Sequence, residues 1–192
     1  MSERAILIPG YGDTLGQSAY RPLCSLVETQ YPFVHKLHIP WERGTYTDWF
    51  SAAREQVCYE DADIFAFSCG ALIALQMASK DQVPNLRVDS LLLLSTSSWG
   101  GGKGSMESSS KNSGQIFSGE RFEVLEGLPV EEFALNCSAK SIRLFYGERE
   151  LPEMKARSRS LATLLGERAT LLAVPDAEHY DVLGKVGTFL GE

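Results

Sequence analysis

The sequence predicts an α/β protein in which a mainly parallel sheet is covered by helices on both faces. Short apolar runs alternate along the chain with segments whose apolar residues recur at helical spacing. The first of these runs is continuous rather than alternating, which is typical of a strand that is buried on both faces. Because right-handed crossovers place the connecting helices on the two faces of such a sheet, this order predicts a three-layer α/β/α sandwich.

Six strands are predicted from compact apolar runs bounded by turn residues. The first run ends at the glycine-containing turn 10–12, and the second is closed by Pro40. The fourth contains four consecutive leucines and is the least ambiguous. In chain order the predicted strands cover Arg4–Pro9, Phe33–Ile39, Asp63–Phe67, Ser90–Ser95, Ser141–Tyr146 and Ala169–Val174.

Helices are predicted in the segments between and after these strands. The first precedes Pro32, which helps to stop it, and Thr47 is a candidate N-cap for the second. A Gly- and Ser-rich insert at about 97–127 is expected to be a loop, either a surface excursion or a cover over the site. The predicted helices cover Ser18–Tyr31, Thr47–Val57, Cys69–Ser79, Val130–Asn136, Pro152–Leu165 and Val182–Leu190.

Composition narrows the class of protein and its partners. A chain of 192 residues with 44% hydrophobic and 22% charged residues predicts one globular domain over residues 1–192. The net charge of -7 disfavours nucleic acid and anionic membranes as partners, because both attract cationic surfaces. There is neither an apolar run long enough to cross a bilayer nor the pattern of a signal peptide, and the four cysteines lack metal-ligand spacing. We therefore expect a cytoplasmic protein without a metal.

The junction between the third strand and its helix carries the pattern Ala66-Phe67-Ser68-Cys69-Gly70. A tight turn here would expose its central side chain in a strained conformation, and small residues two positions away would avoid collisions. The helix that follows points its first N–H groups at negative charge near Ser68. These features suit an activated nucleophile, although a serine at this place could also be a simple helix N-cap.

This pattern resembles the nucleophile elbow G-x-S-x-G of the α/β-hydrolase family, with Ala66 in place of the first glycine. The resemblance extends from Ala5 to Leu190. It implies a minimal version of the fold with strand order 2-1-3-4-5-6 and without the two leading antiparallel strands common in the family. Cys69 is a rival nucleophile, but a side chain one position after the elbow is expected to point into the helix layer.

The same resemblance implies an oxyanion hole beside the nucleophile. Pro9-Gly10-Tyr11-Gly12 follows the first strand, where the family typically has a His-Gly pair. The backbone N–H groups of Tyr11 and Cys69 are thereby implied as the donors to the charge on a tetrahedral intermediate. The alternative is that Gly10 and Gly12 only make a turn.

The chain has three histidines that could act as the general base. His179 lies just past the sixth strand, in a segment that resembles the family's histidine loop, and the resemblance implies it as the base. His35 and His38 lie in the second predicted strand. We expect His35 to be a packed or exposed strand residue and His38 to line the pocket or to be a reserve base. A surface histidine is the alternative for His179.

The acid is expected after the fifth strand. The segment Tyr146-Gly147-Glu148-Arg149-Glu150 resembles the family's Gly-x-x-Asp turn, with Glu150 in the Asp position. A carboxylate there would hold the imidazole tautomer and stabilise the imidazolium. Asp176 and Glu148 are reserve candidates, and a solvated Glu150 paired with an arginine is the alternative. The order Ser68, Glu150, His179 agrees with that of the family.

The resemblance implies a serine hydrolase that cleaves a small carboxylic ester or thioester without an organic cofactor or a metal. The substrate is expected to contact Gly10, Phe67, Trp99 and His38, with Tyr11 contributing to an apolar wall. A catalytically inactive relative that binds a small acyl ligand or a protein is the second hypothesis. A nucleotide-binding enzyme is disfavoured because the segment GYGDTLG does not give G-x-G-x-x-G. The oligomeric state is left open.

Overall fold

The computed structural model describes residues 2–83, 85–96 and 128–190. The strands are β1 (Arg4–Ile8), β2 (Phe33–Lys36), β3 (Asp61–Phe67), β4 (Arg87–Leu94), β5 (Ser141–Gly147) and β6 (Ala169–Val174). They form one six-stranded sheet in the order β2-β1-β3-β4-β5-β6, and every neighbouring pair is parallel. This confirms the predicted α/β class and the strand order. The insert expected at about 97–127, including Trp99, lies outside the described residues.

Helices cover both faces of this sheet, as the predicted three-layer arrangement requires. They are α1 (Arg21–Gln30), α2 (Tyr46–Glu55), α3 (Gly70–Met77), α4 (Val130–Asn136), α5 (Pro152–Leu165), α6 (Asp181–Lys185) and α7 (Gly187–Leu190). Alternate strand side chains enter two apolar cores, one packed by α2 to α5 and the other by α1, α6 and α7. Within the described ranges, no helix has both the length and the apolar character needed to cross a membrane.

The end of β2 differs from the prediction, because the strand stops at Lys36 rather than at Ile39. The ladder to β1 continues for one more hydrogen bond, from the Leu37 N–H to the Leu7 carbonyl. Beyond it, the Gln56 side chain accepts from the His38 N–H and donates to the His38 carbonyl, at 3.0 and 2.9 Å. A side-chain amide thus takes the place of a strand partner and pins His38 to the end of α2.

Two helix ends also differ from the prediction. The N-cap of α2 is Thr45, not Thr47, because Thr45 and Asp48 form a reciprocal capping box in which the Thr45 N–H donates to the Asp48 carboxylate at 2.7 Å. The single C-terminal helix expected over Val182–Leu190 is divided into α6 and α7. Glycines within this segment weaken helix propensity, which agrees with the interruption.

Candidate active site

Ser68 occupies the junction between β3 and α3, at the carboxyl edge of the sheet. Its backbone φ is +54°, a left-handed conformation that costs a non-glycine residue about 1–2 kcal/mol. Its N–H donates to the Leu94 carbonyl at the end of β4, 2.8 Å away, which fixes the turn to the neighbouring strand. The residue is 7% exposed. Ser68 therefore lies on a strained turn that the sheet holds in place.

Small residues around Ser68 allow backbone segments to meet closely. A Cβ atom added at Gly70 would overlap the carbonyl oxygen of Pro9 and would lie 3.0 Å from that of Ile8. A Cβ atom added at Gly10 would lie 3.1 Å from the Ser68 Cβ. The start of α3 thus packs directly on the end of β1, and the segment after β1 passes beside the serine.

His179 contacts both Ser68 and Glu150. Its Nε2 lies 3.1 Å from the Ser68 Oγ, and its Nδ1 lies 3.0 Å from the Glu150 Oε1. The tautomer with its hydrogen on Nδ1 can donate to the Glu150 carboxylate and leaves Nε2 to accept from the serine hydroxyl. The Glu150 side chain is 1% exposed and that of His179 is 26% exposed. The structure therefore aligns hydroxyl, imidazole and buried carboxylate in one hydrogen-bonded series.

The other carboxylates considered from the sequence point elsewhere. Glu148 and Asp176 are exposed, whereas Glu150 is turned inward by a tight turn in which its N–H donates to the Gly147 carbonyl at 3.1 Å. The second oxygen of Glu150, Oε2, is buried without a hydrogen-bond partner among the described residues. Among these three side chains, Glu150 is the one that meets His179.

The loop that carries His179 is held by two contacts. The Ser95 hydroxyl donates to the His179 carbonyl at 3.2 Å, and Ser95 is fully buried at the end of β4. The ring of Phe67 also packs against the imidazole, tilted by 45° and with a centroid separation of 4.7 Å. Phe67 is buried and supports the imidazole, and its expected contact with the substrate stays a prediction.

Gly147 brings this loop close to the end of β5. A Cβ atom there would overlap the Ala177 carbonyl oxygen and would lie 2.8 Å from the carbonyl carbon. We expect Gly147→Ala to displace the histidine loop and to lower the ester hydrolysis that the resemblance implies, measured as kcat/KM, by at least about 10-fold, since small misplacements of reacting groups are costly. Gly184→Ala is the matched control, because beyond its chain neighbours and the backbone of its own helix no described atom lies within 4 Å of the added Cβ. Equal activities of the two variants in steady-state assays would contradict this account.

The turn after β1 lies beside Ser68. The Asp13 N–H donates to the Gly10 carbonyl at 3.1 Å, and Gly12 has φ +75°, as the third position of a type II turn requires. The Tyr11 side chain packs against Trp41 and Trp49, with both centroid separations 5.6 Å. Tyr11 at this turn and Cys69 at the N-cap of α3 therefore flank the serine in the chain segments that the sequence indicated.

Three further residues considered from the sequence are Cys69, His38 and His35. Cys69 is buried with its side chain in the apolar core that α2 to α5 share, as expected for a residue after the elbow. His38 is exposed and lines a cavity of about 220 Å³ together with the turn after β1. The His35 Nδ1 lies 3.0 Å from the Tyr59 hydroxyl, away from Ser68.

Sequence reasoning missed several residues that shape the site. Trp41 and Trp49 support Tyr11, and Asp13 is buried and bonded to the hydroxyls of Tyr20 and Tyr180. These partners are far apart in the sequence and belong to no local motif. The nearest sign of these contacts in the sequence was Tyr180, which directly follows His179.

Comparison with known structures identifies the fold. No protein-family model matches the chain, and no curated protein matches it. The chain is similar to Est1E from Butyrivibrio proteoclasticus with ferulic acid bound, with TM-score 0.67 and 14% identity over 97% of this chain and 87% of that one. It is also similar to a lipase-esterase related protein from Clostridium acetobutylicum, with TM-score 0.67 and 17% identity over 98% and 92% of the two chains.

A third similar structure is BpoC from Mycobacterium tuberculosis, whose name assigns it as a non-heme bromoperoxidase. Here the TM-score is 0.72 and the identity 13%, over 99% of this chain and 91% of that one. These proteins share one architecture under names that differ in activity. The chain thus has the α/β-hydrolase fold, as the resemblance in its sequence predicted, and the chemistry must be argued from the site itself.

Proposed function

We propose that the protein is a serine hydrolase that cleaves a small carboxylic ester or thioester through an acyl-enzyme on Ser68. One observation carries the proposal: the Ser68 hydroxyl on its strained turn lies 3.1 Å from His179, whose other nitrogen lies 3.0 Å from the buried Glu150. A nucleophile, a base and a group that orients the base in this geometry form the arrangement required for acyl transfer.

The reaction proceeds in two acyl transfers. The Ser68 oxygen attacks the carbonyl carbon while His179 Nε2 takes the hydroxyl proton, and Glu150 stabilises the resulting imidazolium. The tetrahedral intermediate collapses when the bond to the leaving group breaks, and His179 gives its proton to the departing alcohol or thiol. Water then attacks the acyl-enzyme while His179 Nε2 takes its proton. The bond between the acyl carbon and the Ser68 oxygen breaks, His179 returns the proton to that oxygen, and the carboxylic acid leaves.

The oxyanion that forms in each half-reaction would be stabilised by the backbone N–H groups of Tyr11 and Cys69. The close packing of Gly10 on Ser68 supports this assignment for the turn after β1. The position of Cys69 at the N-cap of α3 supports it for the helix, whose amide dipoles favour negative charge there. In comparable sites, one such donor contributes about 3–4 kcal/mol to transition-state stabilisation.

The substrate is expected to be a small ester. A cavity of about 220 Å³ borders the turn after β1 and is lined by Tyr11, Gly12, Asp13, Thr14, His38, Ile39, Trp41 and Glu42. Of the residues expected to contact the substrate, His38 lines this cavity, and Gly10 remains a candidate because it packs beside Ser68. The names of Est1E, which was found with ferulic acid, and of the Clostridium protein support carboxylic esters as the substrate class.

A cytoplasmic location belongs to the same proposal. None of the four cysteines forms a disulfide, which suits a reducing compartment. The net charge of -7 supports a small-molecule substrate over nucleic acid or an anionic membrane surface.

A fluorophosphonate probe and a series of p-nitrophenyl esters of graded chain length test this function. We expect covalent labelling at Ser68 and turnover that is fastest with short acyl chains, and we expect both to be lost in Ser68→Ala. Ser138→Ala is the control, since its hydroxyl bonds the Ala78 carbonyl beyond the C-terminal end of α3 and should leave labelling intact. A folded wild-type protein that neither labels nor hydrolyses any ester would favour the alternative of a binding protein without catalysis.

A further inference from the structure

Asp13 is a buried carboxylate directly after the proposed oxyanion turn, and two tyrosine hydroxyls converge on it. Tyr20 donates to its Oδ2 at 2.8 Å, and the Tyr180 hydroxyl lies 3.1 Å from Oδ2 and 3.2 Å from Oδ1. Asp13 is 7% exposed. We call these three residues, Asp13, Tyr20 and Tyr180, the Asp13 clamp.

A buried carboxylate usually has a cationic partner. In the described part of the chain, none of the ion pairs includes Asp13, and its side-chain partners are neutral hydroxyls. Burying a carboxylate without a cation is costly, and a well-packed apolar group would often be at least as stable. Stability alone therefore does not explain why a carboxylate occupies this place.

Tyr20 connects Asp13 to the backbone of the oxyanion turn. Its hydroxyl accepts from the Gly10 N–H at 2.8 Å while it donates to Asp13. Burial raises the pKa of Tyr20 well above its ordinary value, and the nearby charge of Asp13 raises it further, so the phenol keeps its proton. Together with the bond from the Asp13 N–H to the Gly10 carbonyl, this fixes both backbone polar groups of Gly10.

Tyr180 connects the same carboxylate to the loop of the proposed general base. It directly follows His179, and its ring packs against the imidazole at a centroid separation of 5.5 Å and against Phe67 at 5.2 Å. One carboxylate therefore joins two chain segments that are 167 positions apart, one with a proposed oxyanion donor and the other with the base.

We propose that Asp13 is a positioning residue that sets the spacing between the Tyr11 amide and the His179 imidazole through Tyr20 and Tyr180. This inference rests on the proposed hydrolase function. Asp13 borders the cavity of about 220 Å³, whereas Tyr20 and Tyr180 do not, so Tyr180→Phe tests alignment without changing that lining. None of the three side chains belongs to the hydrogen-bonded series of Ser68, His179 and Glu150, and we therefore expect the clamp to act on alignment in the transition state. An alignment effect lowers kcat and leaves KM nearly unchanged, because ground-state binding is not altered.

Two substitutions test the clamp with the full-length protein and a p-nitrophenyl ester. Tyr180→Phe removes one hydroxyl from a partly exposed ring and should fold normally, and Asp13→Ala removes the whole carboxylate. We expect kcat to fall by about 10- to 100-fold in each, with KM within about 3-fold of wild type. Labelling of Ser68 by the fluorophosphonate should slow by a similar factor.

Two further variants separate positioning from other roles. Tyr31→Phe is the matched control: Tyr31 also donates to a buried carboxylate, Asp63, at 2.7 Å, but away from Ser68, so kcat should not change. Asp13→Asn keeps the shape of the side chain and can still bond both hydroxyls, so it should recover activity to within about 5-fold of wild type.

The proposal is overturned if folded Tyr180→Phe and Asp13→Ala keep wild-type kcat, or if Tyr31→Phe loses as much activity as they do. Asp13→Asn as impaired as Asp13→Ala would also overturn it, because charge would then matter instead of position. A wild-type protein that neither labels nor turns over is a different result: it removes the proposed function itself, and the clamp with it.

Discussion

Replacement of His179 by Gln is expected to lower kcat/KM toward an activated ester by about four orders of magnitude. The amide of Gln can form hydrogen bonds near Ser68 but cannot take a proton from the hydroxyl and return it to the leaving group. The His179 side chain is 26% exposed, so its loss should affect the free energy of unfolding much less than it affects the rate. Steady-state kinetics and a thermal melt of the same preparation measure the two effects.

His35→Gln is the matched control for this prediction. It makes the same chemical change on β2, where the His35 ring bonds the Tyr59 hydroxyl and burial lowers its pKa. We expect its activity to be normal. Retention of more than about a tenth of the wild-type rate in His179→Gln would remove His179 from the role of general base and would make His38 the next candidate.

The second large effect is expected from Glu150→Gln, which should lower kcat by about 10²- to 10⁴-fold. The substitution keeps the size of the side chain but replaces a pure acceptor with an amide that can also donate. If the amide nitrogen faces His179 Nδ1, the imidazole is held in the tautomer that cannot accept from Ser68. The imidazolium that forms during attack also loses the negative charge 3.0 Å away.

Glu148→Gln and Asp176→Asn serve as parallel variants, because both side chains are exposed and were the other candidates for the acid. Their activity should stay within about 3-fold of wild type, since exposed charges contribute little across solvent. A larger loss in Asp176→Asn than in Glu150→Gln, measured by kcat on the same ester, would transfer the acid role to Asp176.

The fold class could be predicted because each strand is a local apolar run and right-handed crossovers place helices on both faces of a parallel sheet. The strand order came from the resemblance to the α/β-hydrolase family. The ends of the strands and helices were harder to predict from the sequence, since side chains from elsewhere in the chain decide them. Gln56 ends β2 by bonding the backbone of His38, and Thr45 begins α2 by a reciprocal bond with Asp48. Neither contact is visible in the apolar periodicity of the strand or of the helix.

The candidate site was predictable where short motifs exist and not where the contacts are long-range. Ser68, Glu150 and His179 each follow a strand in a recognisable segment, and the structure brings their side chains together. The bonds of Asp13 to Tyr20 and Tyr180 depend on how three loops meet above the sheet. The contact of Phe67 with the His179 ring was not predicted either, because it depends on which of the two apolar cores each alternate residue of β3 enters.

The left-handed backbone of Ser68 bears on how this protein can evolve. Glycine would adopt φ +54° with little strain, so selection for thermal resistance alone would favour its appearance at position 68. Such a lineage would gain robustness and lose the proposed nucleophile in one step. Homologues with glycine here would therefore be the natural place to look for descendants that have kept the scaffold and abandoned the chemistry.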